Sequence, residues 1–434
     1  MTRILKLSQL TAPELNQLKR RSEQNIDQAL AIARDVIERV KTEGDAGILH
    51  YSRQFDFAGA TAANLRVSEA EFEEAETLVD PHLRRAVEHA FRNIETVHAG
   101  QMPPPMHLAE IEPGVFAGEK ITPLPSVGLY VPRGKGAFPS MMLMLAVPAQ
   151  VAGVKKIVVC TPPDKQGKVE PVSLVAARLA GVTEVYKLGG VQALAAIAYG
   201  TETVAKVDKL IGPCSIYGAA AKRLLSGIVD VGLPAGPSES IVLADETTDP
   251  RLAALDLLIE AEHGSDSAAL LVTHSETIAQ QALQQLNHYL AQLPPWRKQF
   301  CEEGLGAYGG ILLTDSLQAS LDFINDYAPE HLEVLVADPL RLLGEIDNAG
   351  EILLGAYTPS SAATYAIGVN AVLPTGGFAR SYSAVSVFDF LKRSTLAYLT
   401  PAGFDHVKET VTTLADYEDF PAHALAIRER HHLT

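Results

Sequence analysis

The chain has 434 residues, 47% of them apolar, and a formal net charge of −16. That size and composition predict a folded protein of two or more domains rather than a disordered chain, and the acidic balance argues against a nucleic-acid partner, which would be held through basic patches. Three cysteines, Cys160, Cys214 and Cys301, stand far apart without a C-x-x-C pair, so a disulfide framework or a cysteine zinc site is not expected.

The opening "MTRILKLSQLTAPELNQ" lacks the apolar run of a secretory signal, and the chain is expected to be soluble and cytoplasmic. Residues 12–41 read as helix, with Leu15, Leu18, Ile26, Leu30, Ala33, Ile37 and Val40 near helical spacing. A second helical region, 68–97, is broken at Pro81, and "QMPPPMHLAEIEPG" marks a boundary. Then strands and helices alternate. Strands are expected at 126–131, 156–160, 184–188 and 206–211, with helices at 140–154, 172–180, 191–199 and 216–225 between and after them. Such βα units imply a parallel sheet covered on both faces. After the turn "GLPAGPSES" the alternation resumes, with strands at 240–244, 269–273, 310–314, 331–336 and 351–355. Helices fall at 250–263, with Asp249 as N-cap, and at 276–293. From Arg380 onward the pattern reads as helical. The fold class is therefore α/β with two parallel sheets joined near residue 239.

Between Glu351 and Arg380 no charged side chain occurs, a length sufficient for a membrane span. Pro359, Ser360, Ser361, Gly368, Asn370 and Pro374 break any spanning helix, and no membrane segment is expected.

Ligands of parallel sheets gather beyond the C-terminal strand ends, where helix N-termini point. Three turns of the first sheet have that address: "VPRGKGAFPS", with Arg133 and Lys135, "GGVQA" and "GPCSIYG". None is a G-x-G-x-x-G fingerprint, so they read either as nucleotide-binding turns or as tight connections. The helix "DPRLAALDLLIEAEHG" places Asp256, Glu260 and His263 on one face, opposite Leu252, Leu255 and Ile259; this reads as a metal site or as a solvated stripe. "YAPEHLEV" places Glu330 beside His331, an acid/base pair or an ordinary polar strand start. His423 in "DFPAHALAIRER" and Ser238 in "LPAGPSES" have bland explanations by themselves.

Taken together, "VKTEGDAGILHYSRQFD", "VGLYVPRG", "MLAVPAQVAGVKKIVVCTPP", "GGVQALAAIAYGTETVAKVDKLIGP", "AGPSES", "AEHGSDS", "YAPEHLEV", "NAVLPTGGF" and "AHALAIR" resemble the histidinol dehydrogenase family, NAD- and zinc-dependent enzymes of the last steps of histidine synthesis. The resemblance covers nearly the whole chain. It implies two incomplete Rossmann-like α/β domains, one formed by residues 25–125 with 239–379 and the other by 126–238. Helical terminal pieces, 1–24 and 380–434, would serve an intertwined homodimer. It assigns NAD contacts to Tyr130 and Gln192, and to Ser215 at a position where the family has Asn. It gives the acid/base roles to Glu330 and His331 in a four-electron oxidation of a primary alcohol through an aldehyde, by default L-histidinol to L-histidine with two NAD. Substrate contacts fall on Ser238, His331 and Glu418, together with the metal positions. For zinc the family uses Gln, His, Asp and His; here these are Glu260, His263, Thr364 and His423. Thr364 is a poor ligand, and Ala371 replaces a His that recognises substrate. Glu260 has either taken over the missing carboxylate or binds a cationic substrate group directly. Oxidation of a different polar alcohol, and a non-catalytic ligand-binding relative, are the alternatives these replacements raise.

Overall fold

A computed structural model describes residues 2–21, 26–133, 136–182 and 184–430; Lys135 and the expected boundary at 24/25 lie outside them. Two compact units result: Met1–Gln101 with Pro125–Phe390, and Met102–Leu124 with Leu391–Thr434. The strands are β1 (Ile4–Lys6), β2 (Met106–Glu112), β3 (Val115–Pro123), β4 (Ser126–Tyr130), β5 (Lys156–Thr161), β6 (Glu184–Lys187), β7 (Lys209–Ile211), β8 (Glu239–Ala244), β9 (Ala268–Thr273), β10 (Gly310–Leu313), β11 (His331–Val334), β12 (Glu351–Leu354) and β13 (Leu391–Leu399).

The first unit holds the two parallel sheets expected from the alternation. One has four strands in the order β6-β5-β4-β7, the other six in the order β1-β10-β9-β8-β11-β12. Every residue of β4, β8 and β9 is buried, as continuous apolar strands covered by helices on both faces must be. The expected boundary near residue 239 falls within this unit, at the start of β8.

Several expectations need correction. The helix read over 12–41 is two helices, Ala12–Arg20 and Ile26–Glu43, and Arg21 ends the first at φ 58°. The terminal pieces are not wholly helical: β1 joins the edge of the six-stranded sheet, and β13 pairs with β3. The boundary stretch 101–114 contains β2, which completes a three-stranded antiparallel sheet, β13-β3-β2, in the second unit. These strands escaped notice because little of them is buried. In β2 every residue except Ala109 is exposed, so no apolar alternation marks it.

Helix Pro250–Ala261 starts as the sequence predicts: the Asp249 carboxylate accepts the Arg251 N–H, and Pro250 occupies the first turn. Its orientation excludes the solvated-stripe reading. Asp256 and Glu260 are buried, whereas Leu255 is 39% exposed. Among the described residues no helix is long and apolar enough to cross a membrane. The uncharged stretch forms a short helix, Ser360–Ala362, one further helical turn, Ala363–Ile367, and then irregular chain.

Candidate active site

Two groups of candidate functional side chains form in the first unit, one on each parallel sheet. On the four-stranded sheet the expected nucleotide residues follow three strand ends. Tyr130 closes β4, Gln192 lies in helix Gly190–Tyr199 after β6, and Ser215 precedes helix Ile216–Leu225 after β7. The Tyr130 hydroxyl accepts the Gly190 N–H at 3.0 Å, leaving its own proton to donate elsewhere. Ser215 makes no side-chain capping bond and is exposed. Gln192 is buried and donates through Nε2 to Asp56 Oδ2 at 3.2 Å. Asp56 comes from "HYSRQFD", far off in sequence, and was not singled out beforehand. Arg133, in the first turn, donates to the Lys168 carbonyl at 3.4 Å.

The second group lies at the N-terminal edge of the six-stranded sheet. His331 opens β11 and Glu330 immediately precedes it, with 4% and 7% of their surface exposed. His331 pairs in register with Ser240 of β8 and Glu351 of β12. The register places Glu351 Oε1 2.5 Å from His331 Nδ1. On the other side of the ring, Nε2 lies 3.7 Å from Glu330 Oε1 and 3.9 Å from Glu260 Oε1. Burial pushes the His331 pKa down, but Glu260, Glu330 and Glu351 outweigh it, and the value stands well above the ordinary one. For Glu330 burial wins over His331, and the carboxyl is pushed up to about 8. Its Oε2 accepts the Glu239 N–H at 2.9 Å. Glu239 is itself paired with Arg21 at 3.1 Å and accepts the Gly376 N–H at 2.7 Å.

Glu260 is 1% exposed. Burial works to raise its pKa, yet His331 and His263 hold it down at about 2, so it stays anionic. Ser360 donates its hydroxyl to Glu260 Oε1 at 2.8 Å, and His263 Nδ1 lies 2.9 Å from Oε2. The same Nδ1 is 2.9 Å from Ser238 Oγ. An acceptor-only carboxylate opposite Nδ1 puts the ring proton there, so Nε2 of His263 is the open nitrogen, on a side chain that is 47% exposed. Behind this layer, Glu333 accepts the Ser360 N–H at 3.1 Å. Burial and the neighbouring Asp256 carboxylate push Glu333 up to about 9.

Thr364 is half-buried in the turn after Ser360. Ala371 is half-buried as well, its N–H directed at Met144 Sδ at 3.4 Å. Glu418 and His423 belong to the second unit: Glu418 ends helix Pro401–Tyr417, and His423 lies in helix Pro421–Arg428 with its ring against Phe420. The first unit therefore brings together Ser238, Glu260, His263, Glu330 and His331. Glu351, Glu333 and Ser360 were missed. A lone acid within the apolar strand "HLEVLV", and another opening "EILLG" beside the long uncharged stretch, are the signals that point to Glu333 and Glu351.

Two parallel sheets, one with polar groups at its strand ends and one carrying a buried acid–imidazole pair backed by a carboxylate, define an α/β protein with a candidate acid/base site. The chain belongs to the histidinol dehydrogenase family, whose family model matches residues 19–431. It is 89% identical to the histidinol dehydrogenase of Synechocystis sp. over the full length of both chains. It is also 51% identical to a histidinol dehydrogenase homolog of Cereibacter sphaeroides, over 97% of this chain and 96% of that one. The crystal structure of histidinol dehydrogenase from Elizabethkingia anophelis superposes with a TM-score of 0.93 at 37% identity, covering 99% of this chain and 98% of that one.

Proposed function

We propose that the protein oxidises L-histidinol through the aldehyde to L-histidine with two molecules of NAD. The observation that carries this reading is the Glu330–His331 pair, buried together, with the imidazole held from behind by Glu351. His331 Nδ1 is engaged by Glu351, so Nε2 is the nitrogen open to substrate, and at a pH high enough to leave it unprotonated it takes the alcohol proton as the C–H bond gives up its hydride. Glu330, with a pKa of about 8, is matched to take a proton from water near neutral to mildly alkaline pH, so that the oxygen of that water adds to the aldehyde carbon. A second hydride loss from the hydrate completes the acid. When bound, NAD would supply the hydride acceptor, and zinc held by His263 and Glu260 would supply a Lewis acid.

The chain's own residues support both groups unequally. For NAD, the Tyr130 proton, the Gln192 carbonyl and the Ser215 hydroxyl offer polar contacts at strand ends. Gly190, at φ +59°, lets the backbone turn sharply beneath them. For zinc, His263 offers Nε2, and Glu260 offers an anionic carboxylate that orients the imidazole. Thr364 offers only a neutral hydroxyl, and among the described residues no three His, Cys, Asp or Glu side chains are grouped as a metal site. The family's homodimer is the assembly proposed, in keeping with the exposed Leu414, Tyr417 and Leu425 of the second unit; light scattering tests it.

Purified protein given limiting L-histidinol is expected to form two NADH per substrate, and the gene to restore growth of a histidine auxotroph. No NADH from histidinol, with folded protein, would overturn the reading.

A further inference from the structure

We propose that Asp56 is a positioning residue for the dinucleotide: it fixes which face of the Gln192 amide meets NAD. The inference rests on the reading of Tyr130 and Gln192 as NAD contacts. One carboxylate oxygen, Asp56 Oδ2, accepts both Gln192 Nε2 at 3.2 Å and the Gly189 N–H at 3.3 Å. All of this is buried: Asp56, Gln192 and Tyr130 are each less than a tenth exposed. A carboxylate accepts and does not donate, so it admits only the NH2 end of the Gln192 amide. The carbonyl Oε1 is thereby the end left for a ligand. Beside it, Tyr130 spends its acceptor capacity on Gly190 N–H and keeps its proton. The site thus presents an acceptor, Gln192 Oε1, and a donor, Tyr130 O–H, in a set polarity. That pairing suits a group that both donates and accepts, such as a sugar hydroxyl or a carboxamide.

The local backbone is built around this carboxylate. A Cβ at Gly189 would lie 2.7 Å from Asp56 Oδ1, and one at Gly190 would lie 2.9 Å from Gln192 Oε1. The segment carrying Asp56 is anchored in addition by Lys165, which donates to the Phe55 and Asp56 carbonyls at 2.9 and 3.2 Å. Asp56 makes none of these bonds with the acid/base group on the other sheet, so its influence falls on NAD and not on the alcohol.

The test is NAD titration, by calorimetry, of the wild type, Gln192→Ala, Asp56→Asn, Gln192→Glu and the double variant Asp56→Asn with Gln192→Glu. Asp56→Asn replaces an acceptor-only carboxylate by an amide that can present either its carbonyl or its NH2, so the face of Gln192 is no longer fixed, and NAD is expected to weaken severalfold, less than in Gln192→Ala. Gln192→Glu sets two carboxylates against each other and is expected to be worse. In the double variant the Asn amide donates to the Glu carboxylate, which still offers an oxygen outward, and NAD binding returns to within a few-fold of wild type. Steady-state kinetics should show the change in KM for NAD, with KM for the alcohol unmoved. Should Asp56→Asn fail to fold, the comparison of Gln192→Glu with the double variant decides the matter alone. Wild-type affinity in Asp56→Asn alongside weakened Gln192→Ala, or no recovery in the double variant, overturns the role of Asp56 while leaving NAD binding intact. Absence of NAD binding by the wild type overturns the nucleotide reading, and this inference with it.

Discussion

His331 Nδ1 lies 2.5 Å from Glu351 Oε1, and the two residues are register partners at the first positions of β11 and β12. The pairing is a property of the sheet: parallel strands in this register bring the two side chains together, and burial keeps water from competing. An imidazole so held keeps Nε2 aimed at substrate and is stabilised once it has taken a proton. Glu351→Gln is therefore expected to lower kcat by about 10²-fold or more with little change in KM. Steady-state assays of NADH formation check this. An unchanged kcat would remove Glu351 from the mechanism.

The carboxyls behind and beside His331 make stability depend on pH. Burial raises Glu330 to about 8, and burial with Asp256 raises Glu333 to about 9. The folded protein thus keeps protons that the unfolded chain releases above about pH 4.5. Where the native state binds more protons, stability falls as pH rises. The contribution of these groups is full below their unfolded pKa and is lost progressively up to pH 8–9. Thermal melts should show Tm decreasing from pH 6 to pH 9, and Glu333→Gln, which needs no proton to be neutral, should flatten that slope. A Tm rising across this range would contradict the assignment.

Metal content separates the two roles open to Glu260. Removing the open imidazole in His263→Ala should abolish stoichiometric zinc in protein purified without chelator. Thr364→Asp supplies an anionic oxygen at the position where the family resemblance implies an Asp ligand, and should tighten zinc by about tenfold or more in competition with a chromophoric chelator. Equal zinc content in wild type and His263→Ala would exclude His263 as a ligand.

Ala371 offers no side-chain hydrogen bond at the position where the family resemblance implies a substrate-contacting His. Introducing that contact in Ala371→His should lower KM for histidinol by about tenfold, the scale of one good polar contact in a buried site, with kcat little altered. A rise in KM would mean that the imidazole of the substrate is held elsewhere.

Arg21 and Glu239 form a buried ion pair at 3.1 Å, and the backbone N–H of Glu239 holds Glu330. Arg21→Met leaves a buried carboxylate without its cation. It should cost roughly 3–5 kcal/mol of stability, read from urea unfolding, and disturb Glu330 as well. A loss below about 1 kcal/mol would place the pair among weak surface-like bridges.

The sequence alone determined the α/β alternation, because the central strands of the two parallel sheets, β4, β8 and β9 among them, are buried along their whole length and are therefore largely apolar runs. It determined Glu330 and His331, adjacent in the chain, and Asp249 as a cap, whose partner is two residues away. It also showed a charge-free stretch between Glu351 and Arg380 that contains Thr364 and Ala371. The tertiary structure decided the rest. Only strand register joins His331 to Glu351, twenty residues on. Only helix packing turns the polar face of Pro250–Ala261 inward, so that Glu260 meets Ser360 and His331. Only the approach of a distant segment brings Asp56 against Gln192, over a separation of 136 residues. The exposed strands β2 and β13 stayed hidden for the converse reason: with little apolar surface to bury, backbone pairing rather than side-chain pattern makes them strands. Periodicity records what a residue buries along its own element, whereas a site is made where elements meet.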